Sequence, residues 1–166
     1  MTVFFCAKCG AALTPELRAL GALPDVSTHQ KDRDRKSNLA PSTVPPGHYA
    51  IDPEPWGAPF VAPVPGCRRG GDDDRTLLMP PDMTGMVSAG PRDTVIVHPD
   101  DVPDLRLVDG LGVHHGCCGP LGTGGRNMAC GGCGVLVATL AAECMGPYEL
   151  HLDPVRVWAG SGWWGG

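Results

Sequence analysis

Hydrophobic and polar residues alternate over a few short stretches of this chain, most of them in its second half. Tyr148-Glu149-Leu150-His151-Leu152 repeats with a period of two, which predicts a half-buried strand stopped by Asp153-Pro154. Thr94-Val95-Ile96-Val97-His98 is a β-branched run bounded by Pro91 and Pro99 and reads as a second strand. Asp100 to Asp104 reads as a turn, and Leu105 to Val108 as a further strand. The segment from Val135 to Leu140 is another strand candidate, although 135–143 fits a helix equally well. One short helix is predicted over 14–21, with Thr14 as N-cap, Pro15 at the first helical position and Gly21 near the stop.

The intervening segments lack either period. Residues 25–46 are polar, carry a mixed-charge run from His29 to Lys36 and prolines at 41, 45 and 46, and are expected to form a flexible insertion. Residues 68–75, with Gly70-Gly71-Asp72-Asp73-Asp74, are expected to form a second one. Its three adjacent carboxylates cannot easily converge on one hard cation and read as a solvated tip. The stretch 47–61 mixes Tyr49, Trp56 and Phe60 with prolines, which predicts an extended segment packed over the core. The glycine-rich end, 159–166, reads as a flexible tail, and its Trp163 and Trp164 as loose apolar residues. The expectation is one small β-rich domain over 1–166, with long irregular Pro/Gly-rich insertions and one short helix.

Composition limits how this domain can be stabilised. A chain of 166 residues with 24 Gly, 18 Pro, three Phe and two Tyr has few large apolar side chains, so cross-links or metal must supplement burial. Net charge is −5, which offers no basic footprint for a phosphate backbone and disfavours nucleic acid as a partner. No apolar run is long enough to span a membrane, and the first residues show no basic-then-apolar signal pattern, so a cytoplasmic location is expected. Ten Arg against three Lys, with abundant Ala, Gly, Pro, Val and Asp, suggest a GC-rich bacterial genome.

The eight cysteines change the picture most. In a reducing compartment they read as metal ligands more readily than as four disulfides. Two segments nearly repeat each other: Phe5-Cys6-Ala7-Lys8-Cys9-Gly10-Ala11 and Ala129-Cys130-Gly131-Gly132-Cys133-Gly134-Val135. A two-residue gap lets both sulfurs of each hook meet one ion at about 2.3 Å, and the following glycine permits the left-handed turn that aims amides at sulfur.

These hooks resemble the knuckles of zinc ribbons and rubredoxin-like proteins. The resemblance covers about fourteen residues and implies a structural Zn2+ bound by Cys6, Cys9, Cys130 and Cys133. It departs from the pattern in spacing, because about 120 residues separate the hooks. A second or alternative grouping draws on Cys117, Cys118 and Cys144 with His115, or on Cys118, Cys130 and Cys133 with Cys117 or Cys144. Cys67 stands alone and reads as a free thiol.

Catalytic readings are weaker. A zinc deaminase would need Pro before the Cys-x-x-Cys and an upstream His-x-Glu; residue 129 is Ala, and neither His114 nor His115 is followed by such a glutamate. Gly119 to Asn127 lacks the ending of a phosphate loop and reads as a loop that lets the Cys117/Cys118 turn approach the metal hook. Asp52/Glu54 and Asp100/Asp101 read as turn formers, and His98 and His151 as hydrogen-bonded structural histidines. The functional expectation is a zinc-binding, non-catalytic interaction or regulatory protein with a protein partner, the aromatic-proline segment around Trp56 offering the binding surface. The alternative is a thiol oxidoreductase using Cys130 and Cys133. Binding to nucleic acid or the transcription apparatus is a third reading, by fold analogy alone.

Overall fold

The structure is a computed structural model that describes residues 1–66, 77–108 and 116–161. Cys67, the 68–75 insertion, His114, His115 and the Trp163/Trp164 pair lie outside the described residues. Among the described residues, eleven strands form a seven-stranded sheet and two two-stranded ribbons. The sheet contains β2 (Arg18–Ala19), β3 (His48–Asp52), β6 (Thr94–Val97), β7 (Leu105–Leu107), β8 (Met128–Cys130), β9 (Leu136–Ala142) and β10 (Tyr148–Leu152). Their spatial order is β2-β3-β6-β10-β9-β8-β7, and every pairing except β2 with β3 is antiparallel. One ribbon pairs β1 (Thr2–Cys6) with β11 (Val157–Ser161), and the other pairs β4 (Phe60–Val61) with β5 (Val87–Ser88).

The period of two in β10 assigns its two faces different surroundings. Leu150 and Leu152 enter the main core with Val95 and Val97 of β6, Val137 and Ala138 of β9, and Phe4 of β1. This core also contains Cys6 and Cys130, so both hooks are anchored by the largest apolar cluster. Glu149 and His151 belong to the other set of β10 positions, in register with Ala141 and Thr139 of β9. There Trp56, Leu77 and Ala141 make one smaller cluster, and Val44, Ala50 and Ile96 another. The 47–61 segment thus packs over the sheet through a buried Trp56, so that this indole is not an exposed docking element.

The segment 135–143, which fitted either period, is strand over Leu136–Ala142: the seven-residue β9 pairs with both β8 and β10. The helix expected over 14–21 does not form, and among the described residues helical structure is confined to three 3-10 turns. Its backbone is taken instead by β1 and β3. Leu13 N donates to Phe4 O, Thr2 N and O bond Leu17 O and N, and Arg18 N donates to Gly47 O. Thr14 spends its hydroxyl on Phe4 N, across the chain, rather than on the amides of a helical first turn. Leu13 and Leu17 gain burial in the main core, which outweighs the preference of a two-turn helix that would be marginal alone.

Residues 25–46 include buried Arg33, Ala40, Thr43 and Val44. The Arg33 guanidinium donates to the carbonyls of Thr28, Asn38 and Gly146. The expected tail, 159–166, starts inside β11, whose residues 158–161 pair with Thr2 to Phe5.

Candidate metal centre

The two hooks fold alike. In the first, Cys6 N donates to Ala11 O and Gly10 N to Cys6 O at 2.8 and 2.9 Å; in the second, Cys130 N donates to Val135 O and Gly134 N to Cys130 O at 2.9 and 2.8 Å. Gly10 and Gly134 have φ of 73° and 74°, the left-handed conformation that the motif calls for. Each hook follows the end of a strand, β1 or β8, so sheet pairing sets its direction.

The hooks face each other. Cys6 Sγ lies 3.7 Å from Cys133 Sγ, and Cys9 Sγ lies 3.7 Å from Cys130 Sγ. The edge of a tetrahedron with 2.3 Å metal–sulfur bonds is about 3.8 Å. All four sulfurs lie within 4.8 Å of one another, which is a group able to hold a metal ion. Cys6 and Cys130 are buried, Cys133 is half-buried and Cys9 is exposed, so the site lies at the protein surface with its inner half in the core. Burial opposes the Cys6 thiolate, but amide hydrogen bonds from Cys9 and Lys8 and the thiols of Cys9 and Cys133 outweigh it and lower its pKa to about 7. Cys9 accepts from the Ala11 amide, yet desolvation and hydrogen bonds with the thiols of Cys133, Cys6 and Cys130 push it up to about 12.

Cys117, Cys118 and Cys144 do not join these hooks. They gather around Glu143 in a second group whose donor atoms also lie within 4.8 Å of one another. The 119–127 loop therefore does not bring Cys117 and Cys118 to the first site, and the grouping of Cys118 with Cys130 and Cys133 is not what the fold makes. Gly119 N donates to Glu143 Oε2, and further along the loop Gly122 packs beside Ala141 and Trp56. Glu143 was not foreseen from the sequence; an acid beside Cys144 was its only signal. Desolvation works against its charge, but hydrogen bonds from the Cys144 and Cys117 thiols and the Cys118 and Gly119 amides prevail and hold its pKa below the usual range. The three thiols are shifted up: Cys117 first by Cys118 and then by Glu143, and Cys118 first by Cys144. At Cys144 a lowering contact with Cys118 is outweighed by Glu143 and burial.

A third polar assembly lies under Trp56. His151 Nε2 donates to Glu149 Oε2 at 2.7 Å, and His151 Nδ1 lies 2.8 Å from Thr94 Oγ1. Thr43 Oγ1 donates to Glu149 Oε1 at 2.6 Å. Glu149 and His151 are 0% and 2% exposed, and the Trp56 ring stacks on the imidazole at 3.5 Å. His151 is thus the hydrogen-bonded histidine expected from sequence, although its partners were not foreseen. Beside it a cavity of about 480 Å³ is lined by Trp56, Thr94, Arg126, Thr139, His151 and Asp153. Asp100 and Asp101 form a 3-10 turn whose Asp101 accepts from Gly47 N, and Asp52 accepts from Glu54 N, in line with turn-forming roles.

Comparison with protein-family models, with curated proteins and with solved structures found no match. No helix among the described residues is long and apolar enough to cross a membrane.

Proposed function

We propose that this is a zinc-binding, non-catalytic interaction or regulatory protein of the bacterial cytoplasm, in which Cys6, Cys9, Cys130 and Cys133 hold a structural Zn2+ in zinc-ribbon fashion. The observation that carries this reading is the cross-hook geometry, with 3.7 Å sulfur pairs that tie the first strand to the β8–β9 turn. Zinc suits the set because four thiolates favour a thiophilic ion and a d10 ion accepts a tetrahedral shell without redox chemistry. Four thiolates also close that shell, leaving no position for a substrate or an activated water. The thiol-oxidoreductase alternative would use Cys130 and Cys133 alone, whereas their sulfurs belong to one group of four with Cys6 and Cys9. A protein partner remains part of the proposal, and the acidic net charge of −5 argues for that over nucleic acid.

The test is metal analysis of the purified protein, with thiol titration before and after chelation. Bound zinc with Cys6, Cys9, Cys130 and Cys133 masked until the chelator is added is the expected result. Metal-free protein carrying a readily reduced Cys130–Cys133 disulfide would overturn the reading in favour of the oxidoreductase.

A further inference from the structure

We propose that Cys117, Cys118, Cys144 and the carboxylate of Glu143 form a second metal site, a mixed sulfur–oxygen centre for a thiophilic divalent ion of the zinc class that is open to solvent and exchangeable. It stands independently of the first site, since neither group shares a ligand with the other.

The sulfur positions suit one ion. Cys117 Sγ lies 3.5 Å from Cys118 Sγ and 3.7 Å from Cys144 Sγ. Both separations are close to the ~3.8 Å edge of a tetrathiolate tetrahedron. Glu143 supplies a fourth donor already oriented. Its Oε2 accepts the amides of Cys118 and Gly119, each at 3.1 Å, and this leaves Oε1 turned toward the sulfurs, 3.3 Å from Cys117 and 2.9 Å from Cys144. Outer hydrogen bonds that fix a ligating carboxylate in this way are a recurrent part of metal sites. The loop is shaped around the carboxylate: a Cβ at Gly116 would fall onto Glu143 Oε2, and one at Gly119 onto Ala142 O.

Glu143 is 3% exposed, and among the described residues no Lys, Arg or His forms an ion pair with it. Its charge is held by the Cys118 and Gly119 amides and the Cys117 and Cys144 thiols, the hydrogen bonds that a buried carboxylate requires. A divalent ion on Oε1 would take the place of the two thiol donors there and convert the three thiols to thiolates, each releasing a proton, so that the loaded centre carries two negative charges. Each centre has two buried donors, but Cys117 and Cys118 are both exposed, whereas at the hooks Cys9 is exposed and Cys133 half-buried, so water, chelators and electrophiles reach the second ion more readily.

The experiment uses the full chain, reduced and loaded with zinc, then with Co2+ as a spectroscopic probe. Ions per chain are counted while a chelator of moderate affinity is added, in wild type, in Glu143→Gln and in Cys117→Ser/Cys144→Ser. Wild type is expected to hold two ions, one of which leaves first. The double cysteine variant is expected to hold one, with the tetrathiolate cobalt spectrum of the hooks retained. Glu143→Gln preserves the shape and loses the charge, and the labile ion should bind at least tenfold more weakly. One ion per wild-type chain would overturn the proposal. So would a labile ion whose affinity is the same in both variants, or a Cys117–Cys118 disulfide that persists in reduced, metal-loaded protein. The tetrathiolate cobalt spectrum separates the readings: its presence without a labile ion would overturn this proposal and leave the hook site standing, and a labile, Cys117-dependent ion without it would do the reverse.

Discussion

Stripping the ion from the hooks should remove most of the folding stability, and the size of the loss reports whether the hooks share it. An ion that joins Cys9 to Cys130 closes a loop with a sequence separation of 121. Treated as a cross-link, a closure of that length restricts the unfolded chain by about 5 kcal/mol, over and above the about 2 kcal/mol of the four-residue closure within each hook, which is all that two separate ions would supply. Since a domain of this size is stable by about 5–15 kcal/mol, loss of a shared ion would leave the chain near its threshold. The assay is urea unfolding, followed by circular dichroism, of zinc-loaded and chelator-treated protein with metal content measured in both. With a urea slope of about 2 kcal/mol/M, the midpoint should fall by about 2 M or more. Cys9→Ser and Cys130→Ser should cost similar amounts, and the double variant little more than either alone, because each single change already breaks the shared site. Additive losses, or an unchanged midpoint in protein shown to be metal-free, would refute the shared ion.

Gly131→Ala should destabilise the second hook by about 1–3 kcal/mol, because its Cβ would overlap the backbone oxygen of Asp104, while Gly132→Ala meets ordinary contacts no closer than 3.5 Å and should be mild; thermal melts of the pair distinguish them. Leu152→Ala removes a fully buried side chain shared by the sheet and the β1–β11 ribbon and should cost about 2–5 kcal/mol in denaturant unfolding. His151→Ala leaves the Glu149 carboxylate buried without its imidazole partner and should cost about 3–5 kcal/mol, a loss that His151→Ala/Glu149→Gln should partly recover if the buried charge is its source. The Asp34 carboxyl is held below its ordinary value, first by the Ser37 amide and also by the Ser37 hydroxyl and Lys36 amide. Its contribution is present above the unfolded carboxyl pKa of about 3.9 and lost as pH falls through the lower folded value, so NMR titration should give an Asp34 midpoint below that of unfolded protein, and Asp34→Asn should remove this acid-side dependence.

The local pattern alone was enough for β6 and β10, because a β-branched run between prolines and a strict alternation each match one backbone period. The hooks were equally legible. Two cysteines two residues apart, followed by glycine, determine their own turn, and Gly10 and Gly134 adopt it. Tertiary structure decided what short-range preference left open. The N-cap and Pro15 favoured a helix over 14–21, but β1 offered hydrogen-bond partners and a core for Leu13 and Leu17 that a two-turn helix cannot match. The 135–143 segment became a strand because β8 and β10 lie on either side of it. The partition of the cysteines was likewise set by the sheet. Pairing of β8 with β9 and of β1 with β11 faces the hooks toward each other, while the end of β9 carries Glu143 to Cys117 and Cys118, about 25 residues away in the chain. Spacing within a hook is a covalent property that the sequence carries. Which hook faces which, and which carboxylate meets which thiol, depends on long-range strand order, and no local pattern encodes that.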